Sequence, residues 1–292
     1  MITGFLSNMI VKGGIAPVFD HPQHYGLDYE DVQISAPDGV QLKGWLIKGG
    51  TDKIIVQSHF GVQASRSGYT PKGKGMVKMW QEDIPFLKHV KYLVDQGYSV
   101  LMYDFRSHGD SDPNTSGWCS WGPDEAQDVV AAVDYVAHHP TYKEAEIGLL
   151  SICMGAAAST YAFGADQLQA YNIKAMVAIQ PMRYKDFMNS FGLPAFLNNW
   201  VNKKNSARVG FDMTAKSFKN DVPKIPVPTL VMQNDQDEFL TKASIDEFFQ
   251  DLRVEKEMMW VSDIGTKRAA GYDYLTKNPE KVLYWFDKYM GK

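Results

Sequence analysis

The chain has 292 residues, 45% of them hydrophobic and 22% charged, with a net charge of −4. This is the balance of a globular enzyme long enough to bury a full core, and it offers no basic face for nucleic acid or an anionic membrane. Its two cysteines, Cys119 and Cys153, are too few for a disulfide framework and suit a reducing compartment, so a cytoplasmic location is expected.

In chain order, an apolar run from Ile2 to Val11 is interrupted by Ser7 and Asn8. It has neither a basic start nor a small-residue cleavage site, so it does not read as a signal peptide. No stretch approaches the roughly 18 to 20 apolar residues of a spanning helix, and no membrane segment is expected. Residues 31–35 and 41–47 flank Asp38-Gly39 and predict an antiparallel hairpin. The run 53–58 predicts a buried strand. A helical stripe (Phe86, Leu87, Val90, Leu93, Val94) ends at Gly97, and a second buried strand covers 99–104. Ala126, Val129, Val130, Val133 and Val136 mark the next helix, stopped by Pro140. A strand over 147–151 then runs straight into a helix of small residues over 154–162.

The alternation repeats, with strands at 173–179, 229–233 and 257–261, a helix marked by Ile245, Phe248, Phe249 and Leu252, and a last helix marked by Val282, Trp285, Phe286 and Tyr289. Such alternation predicts one α/β domain over 1–292, with a mostly parallel sheet covered on both sides. One interval, 181–224, is far longer than the usual connection of roughly 2 to 6 residues. Its apolar content (Phe187, Phe191, Leu193, Phe196, Leu197, Trp200) predicts a small helical lid over the carboxyl ends of the strands, where ligands bind in open α/β sheets.

The sharpest signal is Ser151-Ile152-Cys153-Met154-Gly155 between an apolar strand and the alanines 156–158. A sharp strand-to-helix turn of this kind requires small residues two positions either side of its centre, here Ser151 and Gly155. The central side chain then stands free at a helix N-terminus, an environment that favours a thiolate. Cys153 is therefore the candidate nucleophile. The bland alternative is a buried structural cysteine.

The context resembles the α/β-hydrolase superfamily over nearly the whole chain, and the resemblance implies an eight-stranded sheet. Tyr103-Asp104-Phe105-Arg106-Ser107-His108-Gly109-Asp110-Ser111 looks like the superfamily's D-x-R-x-H-G-x-S loop. Ser58-His59-Phe60-Gly61 sits where a superfamily segment supplies an oxyanion-hole N–H, which implies Phe60 or a neighbour beside Met154 in that role. A cysteine in the elbow is similar to dienelactone hydrolases. With Gly271-Tyr272-Asp273-Tyr274, the chain also resembles uncharacterised bacterial hydrolase-like proteins and fungal polyketide acyltransferases.

The resemblance also implies an acid after a late strand, and Pro228-Thr-Leu-Val-Met-Gln-Asn-Asp-Gln-Asp237 supplies Asp237, with Asp235 as runner-up. The base should be a histidine in the loop around 262–271. There is none, nor any histidine after His139; Lys267 or Arg268 stands in that region. Lys267 is carried forward as the loop's candidate and His59 as a substitute base, against the alternative that His59 merely fixes loop backbone. His108 reads as turn stabilisation with Asp104 and Arg106, His138 and His139 as partners of a helix C-terminus, and His21, His24 and His89 as surface residues. The Trp118-Cys-Ser-Trp121 cluster reads as loop packing rather than pocket lining.

No histidine or cysteine spacing suits zinc, and Gly73-Lys74-Gly75 lacks the rest of a phosphate loop. Neither a metal nor a cofactor is expected. The expected activity is a cysteine-dependent hydrolase of a small ester, thioester or lactone acting through an acyl-enzyme. The alternatives are an acyltransferase on the same elbow, since water activation looks weak, and a non-catalytic ligand- or partner-binding homologue. The expected partner is a small acyl substrate, with a homodimer left open.

Overall fold

The structure, a computed structural model, describes residues 2–291. Its eight main strands are β1 (Tyr29–Ser35), β2 (Gln41–Ile47), β3 (Lys53–Ser58), β4 (Ser99–Tyr103), β5 (Glu146–Ile152), β6 (Ile173–Ile179), β7 (Thr229–Asn234) and β8 (Lys256–Val261). They form one sheet in the order β1-β2-β4-β3-β5-β6-β7-β8. The β1–β2 hairpin and the β2–β4 pair are antiparallel, and all other neighbours are parallel. The central strands are nearly unbroken runs of Val, Ile, Leu and Met buried on both faces, as parallel strands between helical layers must be.

Nine helices cover the described residues: α1 (Ile2–Val11), α2 (Leu87–Asp95), α3 (Glu125–His138), α4 (Met154–Gly164), α5 (Tyr184–Ser190), α6 (Ala195–Val209), α7 (Lys242–Asp251), α8 (Arg268–Lys277) and α9 (Glu280–Tyr289). Their apolar stripes carry the core: Leu87, Val90 and Leu93 of α2 and Phe286 of α9 are fully buried. Each such side chain contributes about 1.5–3 kcal/mol of transfer free energy.

Three segments depart from the sequence expectations. The apolar run at the N-terminus is a helix, α1, that lies against α6. Arg208 Nη1 donates to the buried Ser7 Oγ at 2.6 Å, and Ser7 in turn bonds Asn205. Residues 64–85 hold three two-residue strands paired antiparallel, and the connection between the last two carries Trp80 inward. Finally, α8 begins at Arg268, so the region expected to be an open loop is short and ends in a helix.

Residues 181–224 form α5, α6 and two 3-10 turns. Of the apolar residues that suggested a lid, only Phe187 lines the cavity at Cys153. Phe196 and Trp200 are instead 60% exposed and stack edge to face on each other.

Candidate active site

The β5–α4 turn places Cys153 with φ +53° and ψ −103°, a backbone conformation strongly disfavoured for a non-glycine residue. The turn is held by the Cys153 N–H donating to Ile179 O at 2.8 Å and by the Ser151 and Ser159 hydroxyls at 2.8 Å. A Cβ at position 155 would lie 2.6 Å from Ser58 O, so only glycine lets α4 approach β3 this closely. Met154, the first residue of α4, offers an N–H with no intrahelical acceptor. Phe60 lies just beyond β3.

Cys153 is 3% exposed and opens on a tight cavity of about 20 Å³, room for little more than a water. The walls are apolar and aromatic: Phe60, Trp80, Trp121, Met182, Phe187 and Phe239, with Arg268 and Tyr272 as the polar groups beside the thiol. Trp121, expected as loop packing, is therefore a wall of this cavity. Its neighbour Trp118 lies under the Arg208 guanidinium instead.

A chain of polar contacts runs from the thiol into the protein. Tyr272 lines the cavity beside the Cys153 thiol, and its hydroxyl accepts from Arg268 Nε at 2.8 Å. Arg268 Nη1 donates to Asp237 Oδ2 at 2.5 Å, and its other terminal nitrogen donates to Gln180 O. Asp237 also accepts from Gln233 Nε2 and the Phe239 N–H, both at 2.8 Å. Burial holds the Tyr272 phenol well above its ordinary range; the Arg268 charge opposes the rise, and the Cys153 sulfur adds to it. Burial alone would lower the Arg268 pKa, but Asp237, Tyr272 and Cys153 overcome it and raise it. The phenol is thus neutral and the guanidinium charged at any ordinary pH.

Phe60 stacks on Tyr272 at 4.6 Å with rings 8° apart, tying the loop after β3 to the phenol. At position 271 a Cβ would meet the Gln180 amide at 2.6 Å, so any larger residue would push that side chain off its place against α8.

The remaining candidates lie elsewhere. Lys267 is exposed, caps α8 and lines an outer groove with Trp80, so it is separated from the thiol. Its neighbour Arg268 occupies the place considered for it, because the helix turns the next residue inward. His59 is fully buried with both ring nitrogens engaged by backbone: Nδ1 donates to Phe60 O at 2.6 Å and Nε2 accepts from the Phe105 N–H at 3.0 Å. Burial, then the neighbouring His108, holds its pKa well below the ordinary value. His59 has no nitrogen left for substrate and fixes the loop instead. Asp235 accepts from Ser262 Oγ at 2.9 Å and stands apart from Arg268. Cys119 is buried against Met154, its Sγ 3.4 Å from the thioether, and burial pushes its thiol well up.

Tyr272 was missed as a site residue, although Gly271-Tyr272 stood out as a motif. A tyrosine four residues beyond an arginine, on a helix that replaces the expected base loop, is the signal that could have found it.

Among the described residues no group of three or more His, Cys, Asp or Glu side chains could hold a metal. No helix among them is long and apolar enough to cross a membrane.

Strand order and the sharp β5–α4 turn together define the class: the chain has the α/β-hydrolase fold. The family described as serine aminopeptidase, S33, matches residues 85–207. The fold is similar to an esterase from Pyrococcus furiosus at 21% identity, with 96% of this chain and 100% of that one covered and a TM-score of 0.69. It is also similar to the α/β hydrolase GrgF from Penicillium sp. sh18 at 16% identity, with 90% and 99% covered and a TM-score of 0.62. A dienelactone hydrolase from Anabaena variabilis matches at 15% identity, with 91% and 99% covered and a TM-score of 0.56. No curated protein matches the chain.

Proposed function

We propose that the protein cleaves a small ester, thioester or lactone through a covalent acyl-enzyme on Cys153. The observation that carries this reading is the chain Cys153–Tyr272–Arg268–Asp237 beside a cavity at the elbow. The sulfur attacks the carbonyl carbon, and the displaced π-electron pair settles on oxygen against the N–H groups of Met154 and of Phe60 or its neighbour. Collapse restores the carbonyl and breaks the bond to the leaving oxygen or sulfur. The Tyr272 hydroxyl gives its proton to that leaving group and takes the thiol proton in exchange. Arg268 stays charged throughout and stabilises negative charge developing on sulfur, while Asp237 positions it.

The second reading, transfer of the acyl group to an amine or thiol, is favoured by one feature. Where a histidine base would activate water stand a guanidinium and a neutral phenol, both poor bases, and a positioned base is worth ~10²–10⁴-fold. A stronger acceptor needs less help than water.

In the same reading residues 1–292 form one domain and residues 181–224 act as its lid, a role supported by Met182 and Phe187 on the cavity wall. The two buried free cysteines fit a cytoplasmic enzyme.

Release of p-nitrophenolate from p-nitrophenyl acetate, with and without an added amine or thiol, tests both readings. Cys153→Ala is expected to lose the release. Acceleration by the acceptor supports transfer, and no acceleration supports hydrolysis. Unchanged release from Cys153→Ala ends the proposal.

A further inference from the structure

The tight cavity at Cys153 has a neighbour. A groove of about 120 Å³ runs between α1 and the strap at 74–77, lined by Phe5, Met9, Ile15, Met76 and Val77 together with Lys12 and Lys74. Gln63 lines both spaces and is the partition between them. Its amide closes the strap over the cavity, with Nε2 donating to Val77 O at 3.2 Å and Oε1 accepting from the Met79 N–H at 3.3 Å.

The groove's chemistry is unusual for this surface. Met76 is 82% exposed, Phe5 38% and Val77 36%, three of the large apolar side chains that the fold leaves in water. No carboxylate lines the groove, yet two lysines do. Among the described residues neither ammonium has an ion pair or hydrogen-bond partner. Apolar walls with unpaired cations at the rim complement a ligand with an apolar arm and an anionic end.

We propose that this groove is the port to Cys153. It takes a substrate whose reactive carbonyl stands at one end of an unbranched apolar arm, with a phosphate or carboxylate at the other end held by Lys12 and Lys74. What the arm delivers rests on the acyl-enzyme reading; that it binds does not. A cavity this small at the thiol, one side chain away from a larger groove outside, fits a substrate with little bulk beyond the carbonyl and its length on the outer side.

The probes are dodecyl phosphate, dodecanoate and dodecyltrimethylammonium below their micelle concentrations, titrated calorimetrically into the full chain. The two anions are expected to bind and the cation to bind at least tenfold more weakly. Lys12→Glu with Lys74→Glu is expected to weaken the anions about tenfold, the scale of two exposed ion pairs. Met76→Asp is expected to weaken all three. A control exchange at two distant exposed lysines, Lys88→Glu with Lys143→Glu, should change nothing. Bound dodecyl phosphate is also expected to slow labelling of Cys153 by iodoacetamide. If a phosphate head binds and a carboxylate does not, the natural ligand is a phosphate ester of an apolar arm. The proposal is overturned if the cation binds equally, if the lysine pair has no effect, if no probe binds, or if bound probe leaves Cys153 labelling unchanged. A groove that passes every test in a protein that never acylates would refute the acyl-enzyme reading and leave the port standing.

Discussion

Arg268 Nη1 donates to Asp237 Oδ2 at 2.5 Å, and both side chains are about 1% exposed. An acid–arginine pair therefore stands where an acid–histidine pair would be expected behind the nucleophile. Removing one charge from such a pair strands the other in the interior. Asp237→Asn is expected to lower stability by about 3–5 kcal/mol, read as a shifted urea midpoint. Gln180 O still holds one Arg268 nitrogen, so the variant should fold at low temperature. An unchanged midpoint would mean that the pair carries no structural weight.

Tyr272→Phe removes the one hydroxyl between Arg268 and the thiol. If that hydroxyl passes the proton to the leaving group, single-turnover acylation should fall by ~10²–10⁴-fold. The loss should be smaller for p-nitrophenyl acetate, whose leaving group needs little protonation, than for an alkyl ester. Equal losses on both substrates would assign Tyr272 a packing role against Phe60 instead.

Placing a histidine behind the thiol should restore water activation. Arg268→His is expected to speed deacylation about tenfold or more, because an imidazole beside Asp237 can serve as a base where a guanidinium cannot. Lys267→His, one residue earlier but exposed, is expected to leave deacylation unchanged. The rate of decay of the acyl adduct distinguishes the two positions.

Acid stability has a separate signature. His89, expected at the surface, is instead fully buried on the inner face of α2 with Nε2 2.7 Å from Gln57 Oε1, and burial lowers its pKa to about 3. Below its ordinary value of about 6.5 the unfolded chain takes up a proton there and the folded chain does not. The group's contribution to stability is therefore fully present above pH 6.5 and is lost as pH falls toward 3. Asp104 and Asp128, raised by burial to about 6 and about 7, act in the opposite sense. Comparison with His89→Gln isolates the histidine. From pH 6.5 to 4.5 the wild type should lose up to about 1.4 kcal/mol per pH unit more than the variant. Parallel denaturation curves at the two pH values would contradict this.

Much of the sheet was legible because its strands are dense Val, Ile and Leu runs and its helices carry regular stripes. The elbow was legible for a stronger reason: Gly155 is dictated by its close approach to Ser58, and steric demands write themselves into sequence. The missing histidine was equally plain. What replaced it was not, because choosing between Lys267 and Arg268 depends on where α8 begins, a boundary set by tertiary packing around Gly271 and Gln180. His59 could not be judged either, since its role depends on Phe105, which is brought beside it only by the β3–β4 pairing. The helical character of the N-terminal run was hidden by its length and depends on support from α6.

The most direct test is the mass of the intact protein after brief exposure to p-nitrophenyl acetate, followed by peptide mapping. The acyl-enzyme reading predicts a single acetyl group on Cys153, slow to leave in buffer and absent from Cys153→Ala. No adduct under conditions where Cys153 is freely alkylated by iodoacetamide, or an acetyl group only on lysines, would contradict it.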